Sequence, residues 1–287
     1  MRNVKPGLCS TIFVASVTLL CMQTLAAAQS VGWPNEPAGS TVITDYSFDT
    51  IPGQGWQNNG GSSIVIDPTA PLSPSSVLKF PYPVGFIGGS APDTAFYPLN
   101  NLSEIYLGYW WKPSNPWQAH PSLFNKIAFQ FTNGSGGQLF QVMHGNGVDE
   151  PYQVISTLEF TVDNSHLNQF GFGQPNGAWT LFGNASKGKV SLGQWHRIEV
   201  YIKQGTTKSS KNGILRWWVD GILVGNYSNV NYPNTLFNEF QFSPTWGGVG
   251  ETKLEGDYYY FDHVHISQPS GGADVTPPAA PTNLKVN

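Results

Sequence analysis

The segment between residues 195 and 227 alternates apolar and polar side chains with a period of two, the pattern of β-strands. Two runs, Trp195–Lys203 and Leu215–Val219, are separated by a polar stretch rich in Gly, Ser and Lys. A third run follows the dipeptide Asp220-Gly221, and glycine accepts the positive φ that a tight turn needs. The segment therefore predicts three consecutive antiparallel strands.

Similar short runs recur along the chain between turn residues, and no window has a convincing helical period. Strands are predicted at Thr41–Phe48, Ser63–Asp67, Ser76–Phe80, Glu104–Lys112, Asn125–Thr132, Gln138–His144, Tyr152–Thr161, Ala178–Phe182, Leu223–Tyr227, Glu239–Pro244 and Asp257–Ser267. Asn133–Gly137 reads as a hairpin turn. Short strands at this spacing predict a sandwich or barrel of the jelly-roll kind.

Several motifs resemble the concanavalin A-like and laminin-G-like jelly roll, and most closely secreted bacterial polysaccharide-lyase-like domains. They are Tyr109–Ser114, Asn125–Ile127, Trp195–Glu199, the Trp218–Gly221 turn and Tyr260–Val264. The resemblance covers about Tyr46 to Ser267 and implies an all-β, two-sheet antiparallel sandwich. The Arg-rich strand, Gln-Ile-His triplet and Tyr-Lys-Gly-Tyr strand of jelly-roll alginate lyases are absent, so their catalytic residues are not carried over.

The N-terminus is typical of a secretory signal peptide. Arg2 and Lys5 precede an apolar run, and Ala26-Ala27-Ala28 predicts cleavage before Gln29. The alternative is a lipoprotein signal at Cys21, although Leu20 is larger than the residue such signals usually carry. Cys9 and Cys21 are the two cysteines of the sequence, so the processed chain is expected to have no disulfide. We expect a secreted protein of bacterial origin.

The predicted organisation is a signal peptide (1–28), a loose leader (29–40), one jelly-roll domain (41–267) and a tail (268–287). The tail joins a flexible linker to a sequence that resembles the start of a fibronectin type III module. Removing the signal leaves 18 acidic and 12 basic residues, a net charge of −6, with no basic cluster that suggests nucleic acid. We expect a monomer without a membrane span.

Strict alternation predicts a polar face on one sheet. Lys126, Gln130, Gln141 and Gln241 would share it, together with Tyr259. Aromatic side chains stack on the apolar faces of pyranose rings, and polar groups bind the hydroxyls, so this face suits a polysaccharide groove. The residues expected to contact sugar are Trp110, Trp117, Gln241, Trp246 and Tyr260. The alternative is an ordinary solvated face, with the tryptophans in the core.

The leading functional hypothesis is a lyase that cleaves a uronate polymer by β-elimination. Such an enzyme neutralises the carboxylate of the sugar and removes its C5 proton. Lys126, Gln130 and Gln141 are the candidates for holding the uronate. His144, at the end of a strand before Gly145, and Tyr258 are the candidate bases.

Two other functions remain open. A non-catalytic carbohydrate-binding or adhesion module is favoured by the many aromatic residues, whereas a glycoside hydrolase needs two carboxylates about 5–10 Å apart. Glu251, Glu255 and Asp257 come nearest to such a pair, but no jelly-roll glucanase motif is present.

The resemblance also implies one structural calcium ion, since many sandwiches of this kind hold one. Asp45, Asp257 and Asp262 are its candidate ligands. His263 and His265 lie two apart on a strand, as zinc or copper ligands can, but no further ligand is evident. No organic cofactor is expected.

Overall fold

The computed structural model describes residues 32–72, 74–132, 138–145, 152–158, 179–182, 187–207, 210, 212–230 and 236–270. The predicted signal peptide, the turn predicted at Asn133–Gly137 and the tail beyond residue 270 lie outside these ranges. The described part contains β-strands and no helix, so no helix in it is long and apolar enough to cross a membrane.

The strands form two large antiparallel sheets and one small one. The first sheet has the order β14 (Ile222–Val230), β13 (Gly213–Val219), β12 (His196–Lys203), β7 (Glu104–Pro113), β17 (Asp257–Gln268), β4 (Ser76–Tyr82) and β3 (Ser63–Ile66), with β1 (Thr41–Tyr46) also paired to β17. The second sheet has the order β11 (Trp179–Phe182), β10 (Tyr152–Leu158), β9 (Gln138–His144), β8 (Phe124–Thr132), β15 (Phe237–Phe242), β6 (Ala95–Leu102) and β2 (Gln57–Asn58). The small sheet pairs β5 (Ile87–Gly88) with β16 (Gly250–Thr252).

The prediction of an all-β two-sheet sandwich is confirmed, and the predicted three-strand segment is β12, β13 and β14. Four strands were not predicted: β2, β5, β6 and β16. Three of them have only two or three residues. The fourth, β6, contains Pro98 and the pair Asn100-Asn101, which are typical of turns. Pro98 is exposed there, and the strand pairs with β15 around it.

Aromatic side chains fill the space between the two sheets. Phe242 of the second sheet contacts Phe261 and Tyr109 of the first, with ring centroids 4.2 and 5.1 Å apart. Trp56 stacks on Phe242 at 5.7 Å, and Phe48 closes the same cluster. These side chains are almost completely buried. Such rings each bury a large apolar area, so the core gains most of its stability from them.

The leader was predicted to be loose, but residues 33–36 pack on the outer face of the first sheet. Trp33 stacks on His265 with 5.7 Å between ring centroids. A Cβ atom at Gly108 would lie 2.4 Å from the Trp33 ring, so only glycine fits below it. Asn35 donates two hydrogen bonds to the buried carboxylate of Glu199. We call residues 33–36 the strap.

His265 joins the strap to β17. Its Nε2 lies 2.9 Å from Glu36 Oε1, and its Nδ1 lies 3.5 Å from Asp45 Oδ2. Burial disfavours the charged imidazolium, but the contacts with Asp45 and Glu36 outweigh it and raise the pKa of His265 above its ordinary value. The folded protein therefore favours the protonated ring more than the unfolded chain does.

This contact predicts a pH-dependent stability. Because the pKa of His265 is higher in the folded than in the unfolded chain, its stabilisation is complete below the ordinary histidine pKa and is lost as pH rises through the folded value. The difference in unfolding free energy between wild type and His265→Gln should therefore shrink from pH 6 to pH 9. Chemical denaturation at several pH values measures this difference. An equal difference at every pH would contradict the prediction.

Candidate active site

A β-bulge in β8 decides which side chains reach the outer face of the second sheet. Lys126 pairs with Val142 and Ala128 with Gln141, so Ile127 is an extra residue in the strand. Strict alternation would place Lys126, Ala128 and Gln130 on one face. Because of the bulge, Ile127 and Ala128 both enter the core, and Lys126 lies on the opposite face from Gln130.

Lys126 and His144 lie on the same outer face, on neighbouring strands. Phe124 pairs with His144, and their rings are in edge-to-face contact at 5.2 Å. Lys126 is two residues after Phe124 and therefore projects from the same side. Diagonal neighbours of this kind have Cβ atoms about 7–8 Å apart. A cation and an imidazole can thus contact one small ligand together.

The Lys126 side chain is half-buried and reaches a neutral acceptor. Its Nζ donates a hydrogen bond to the carbonyl of Gly247 at 3.1 Å, and its backbone N–H donates to Thr245 at 2.9 Å. Burial lowers the pKa of Lys126 below its ordinary value. Burial likewise lowers the pKa of His144, so the imidazole is neutral at neutral pH. A neutral imidazole beside an ammonium group suits proton abstraction from an acidic sugar.

Further residues of the second sheet extend this surface. Gln241 of β15 pairs with Phe129 of β8, and its amide donates a hydrogen bond to Glu239. Phe129 and Phe131 lie on the same face, with stacked rings 5.8 Å apart. Gln241 therefore lies on the predicted face, held by a carboxylate of its own strand.

Gln130 and Gln141 do not lie on this face, which corrects the predicted polar row. Both side chains are completely buried and point into the core. Gln130 pairs with Phe240, and within the described residues its amide has no hydrogen-bond partner. Gln141 accepts a hydrogen bond from the hydroxyl of Tyr109. Neither residue can hold a substrate on the outer face. Tyr259, placed in the same row by the sequence pattern, is also buried in the core.

Trp117 and Trp246 do not flank a groove either. They are buried and enclose the ammonium of Lys253, which lies 4.1 and 4.9 Å from their ring centroids. Lys253 also forms an ion pair with Asp257, and neither side chain is exposed. Trp110 lies on the first sheet, where it pairs with Arg197 and stacks on its guanidinium at 5.9 Å. The three tryptophans predicted to contact sugar are thus structural or distant.

Tyr258 and Tyr260 lie on β17, on the outer face of the first sheet. Their rings stack at 4.2 Å, and the ammonium of Lys79 lies 5.4 Å from the centroid of the Tyr258 ring. Core residues of both sheets lie between this face and that of Lys126. The structure therefore does not bring the predicted base Tyr258 together with Lys126.

The three predicted calcium ligands do not meet. Asp257 and Asp262 are five residues apart on one strand, a span of roughly 16 Å. Asp45 pairs with His265, still further along β17. Asp257 is neutralised by Lys253, and the buried Asp262 contacts His263. Among the described residues, no group of three or more His, Cys, Asp or Glu side chains is arranged to hold a metal ion, His263 and His265 included.

One neighbour of the site escaped the sequence analysis. His120 is buried in the loop before β8 and packs against Trp246, with ring centroids 4.9 Å apart. Its ring also touches Gly247, whose carbonyl binds Lys126. The signal in the sequence is the glycine-rich segment Gly247–Gly250, because glycines often mark a backbone that packs closely against a neighbour.

Comparisons with known proteins identify the fold. The sequence matches no protein-family model and no curated protein. The structure is similar to a marine alginate lyase from Aplysia kurodai, with 14% identity, a TM-score of 0.57 and coverage of 80% of this chain and 100% of that one. An endo-β-1,4-glucuronan lyase from the fungus Trichoderma reesei has 16% identity and a TM-score of 0.55, with 79% and 96% covered.

A third similar structure is an alginate lyase variant in complex with an alginate tetrasaccharide, with one lysine and one tyrosine replaced by alanine. It has 15% identity and a TM-score of 0.53, and the alignment covers 74% of this chain and 86% of that one. At these identities the likeness establishes the jelly-roll fold.

The burial of the two glutamines predicts opposite effects of one substitution. Gln130→Met removes a buried amide that has no hydrogen-bond partner among the described residues, and it should raise the unfolding free energy by about 1 kcal/mol. Gln141→Met leaves the Tyr109 hydroxyl unpaired and should lower it by about 1–3 kcal/mol. Urea denaturation measures both. A loss of stability in Gln130→Met, or a gain in Gln141→Met, would contradict the prediction.

The buried ion pair predicts a coupling between Lys253 and Asp257. Asp257→Asn leaves the ammonium without its counter-charge and should cost about 3–5 kcal/mol of unfolding free energy. The double variant Lys253→Met, Asp257→Asn should recover part of that loss, because no buried charge remains. Denaturation of the two single variants and the double variant gives the coupling energy. Strictly additive costs would exclude the pair as a stabilising contact.

Proposed function

We propose that this chain is a secreted polysaccharide lyase that cleaves a uronate-containing polymer by β-elimination. The observation that carries the proposal is that Lys126 and His144 are diagonal neighbours on the outer face of the second sheet. The structural neighbours support it, because they include alginate and glucuronan lyases. A polymer outside the cell requires an exported enzyme, and the signal-like N-terminus agrees with this.

The proposed roles follow from charge and protonation state. The Lys126 ammonium binds the uronate carboxylate, which makes the C5 proton more acidic. The neutral imidazole of His144 takes that proton, and the C5–H electron pair forms the double bond between C4 and C5. The C4–O4 bond breaks, its electron pair stays on the glycosidic oxygen, and water protonates that oxygen. The proton on His144 then returns to solvent.

The geometry favours this function over the two alternatives. The aromatic residues that suggested a binding module are buried, as Trp117 and Trp246 are, or lie on the first sheet, as Trp110 does. A hydrolase built on Asp257 is disfavoured because Lys253 neutralises that carboxylate. Glu251 lies exposed in the short strand β16.

The decisive experiment incubates the purified protein with alginate, glucuronan, pectate, heparin-like and neutral glucans. Ultraviolet absorbance of the unsaturated product and new reducing ends are followed together. A lyase raises both on a uronate polymer. Reducing ends without absorbance would indicate a hydrolase, and retention on a polymer without turnover would indicate a binding module.

On the polymer that is cleaved, Lys126→Ala and His144→Ala should each lower kcat/KM by about 10²–10⁴-fold. The matched control is Lys79→Ala, which removes a half-exposed lysine from the first sheet. The control should keep wild-type kinetics. Equal losses of kcat/KM in all three variants would overturn the assignment of the active site to the second sheet.

The pH dependence of kcat/KM should be bell-shaped. On the acid limb, activity rises as His144 loses its proton. Burial lowers the pKa of His144, so the midpoint of this limb should lie below the ordinary histidine pKa. Activity falls as Lys126 loses its charge, and burial places this limb below the ordinary lysine pKa. Lys126→Arg keeps the charge at all accessible pH values, so its alkaline limb should move upward.

A further inference from the structure

His120 is held by several hydrogen bonds in the loop that enters β8. Its Nδ1 accepts a hydrogen bond from the backbone N–H of Ser122 at 3.0 Å and lies 2.8 Å from the Ser122 hydroxyl. The backbone N–H of His120 donates to Asn125 Oδ1 at 3.2 Å, and its backbone carbonyl accepts a hydrogen bond from the Leu123 N–H. Because Nδ1 is an acceptor, the neutral ring carries its proton on Nε2. The orientation of the ring is thus fixed from one side.

The other side of the ring supports a second backbone segment. Trp246 meets the imidazole edge-on, with a ring angle of 83°. A Cβ atom at Gly247 would lie 1.8 Å from Cγ of His120, so the Gly247 backbone is in direct contact with the ring. A Cβ at Gly88 would lie 2.8 Å from Nε2. Two glycines therefore allow the backbone to enclose His120 closely.

The segment that rests on His120 also runs along β8. Asn125 forms a bridge with Trp246, and the Lys126 N–H donates to Thr245. The backbone carbonyl of Gly247, the residue after Trp246, accepts a hydrogen bond from the Lys126 ammonium at 3.1 Å. His120, Gly247 and Lys126 thus form a continuous chain of contacts from the loop to the outer face.

We propose that His120 is a positioning residue, whose ring fixes the Gly247 carbonyl and thereby the Lys126 ammonium. Its catalytic consequence rests on the proposed lyase function, but the positioning of Lys126 does not. The Gly247 carbonyl stabilises the charged amine and so opposes burial, which lowers the pKa of Lys126. If the carbonyl is displaced, the pKa of Lys126 should fall further. On the described elements packed against β8, the titratable groups are His144 of β9, His120 of the preceding loop and Glu239 of β15, which pairs with Phe131 at the far end of the strand.

Two variants separate the ring from its hydrogen bond. His120→Phe keeps a ring against Trp246 and Gly247 and loses the acceptor for Ser122. His120→Asn keeps that acceptor and removes most of the ring. If the ring positions Gly247, Lys126 should be disturbed by the Asn substitution and nearly unaffected by the Phe substitution. His196→Asn is the matched control, because it changes another buried histidine, which contacts Ser191 and Asp220 on the first sheet.

The readout is the pH dependence of Lys126 acylation, followed by mass spectrometry of the labelled peptide, which needs no substrate. In His120→Asn the midpoint should fall by about one pH unit, a tenfold change in the neutral fraction at fixed pH. His120→Phe and His196→Asn should keep the wild-type midpoint. An unchanged midpoint in a folded His120→Asn protein, or equal shifts in Asn and Phe variants, would overturn the proposal.

His120→Gln keeps the test decisive if His120→Asn fails to fold, because it also removes the ring and leaves a longer side chain in the same space. The Lys126 midpoint should fall as in His120→Asn, and no shift in a folded His120→Gln protein would overturn the proposal. Ser122→Ala removes only the hydroxyl beside Nδ1 and leaves the ring in place, so it should keep the wild-type midpoint, as His120→Phe does. On an active enzyme, His120→Asn should raise KM more than it lowers kcat and should move the alkaline limb downward. A shifted midpoint in a protein without lyase activity would retain the positioning role and reject only the proposed reaction.

Discussion

The contact of Phe242 with Phe261 between the two sheets is the interaction on which the remaining architecture depends. The ring centroids lie 4.2 Å apart, and Tyr109 and Trp56 pack around the same pair. Both cysteines of the sequence lie in the predicted signal peptide, at residues 9 and 21, so aromatic packing takes the place of disulfides. Each sheet must turn one face to this core. The face that lines this core is closed to a ligand, so a site on either sheet must lie on its outer face.

The outer faces differ in how their cations are paired. On the first sheet, Lys112 lies 2.6 Å from Asp67, and the guanidinium of Arg197 lies 3.0 Å from Glu199. The strap covers part of this face as well. On the second sheet, Lys126 donates to a backbone carbonyl, which carries no full charge. Among the described residues no carboxylate forms an ion pair with Lys126, which leaves its positive charge able to attract an anionic ligand.

The sequence predicted the sandwich because period-two alternation determines which face of a strand is apolar, and this pattern is strong in β12, β13 and β17. It failed at the site because the bulge at Ile127 leaves no mark in the pattern, and one extra residue moves Gln130 from the predicted polar face into the core. The burial of Trp117 and Trp246 could not be predicted from the sequence either. It depends on Lys253, which is more than a hundred residues from Trp117 and joins it only in the folded chain.

The same bulge explains how Lys126 can lie on the outer face of the second sheet. A regular β8 would carry Lys126 and Gln130 on one side, and either the ammonium would enter the core or the core residues would face water. With Ile127 as the extra residue, the apolar side chains of the strand fill the core while Lys126 points outward beside His144. The bulge has a cost, since it interrupts the ladder with β9 next to the site. The hydrogen bonds from Lys126 to Thr245 and Gly247 provide replacements on the other edge of β8, which is where His120 supports the backbone.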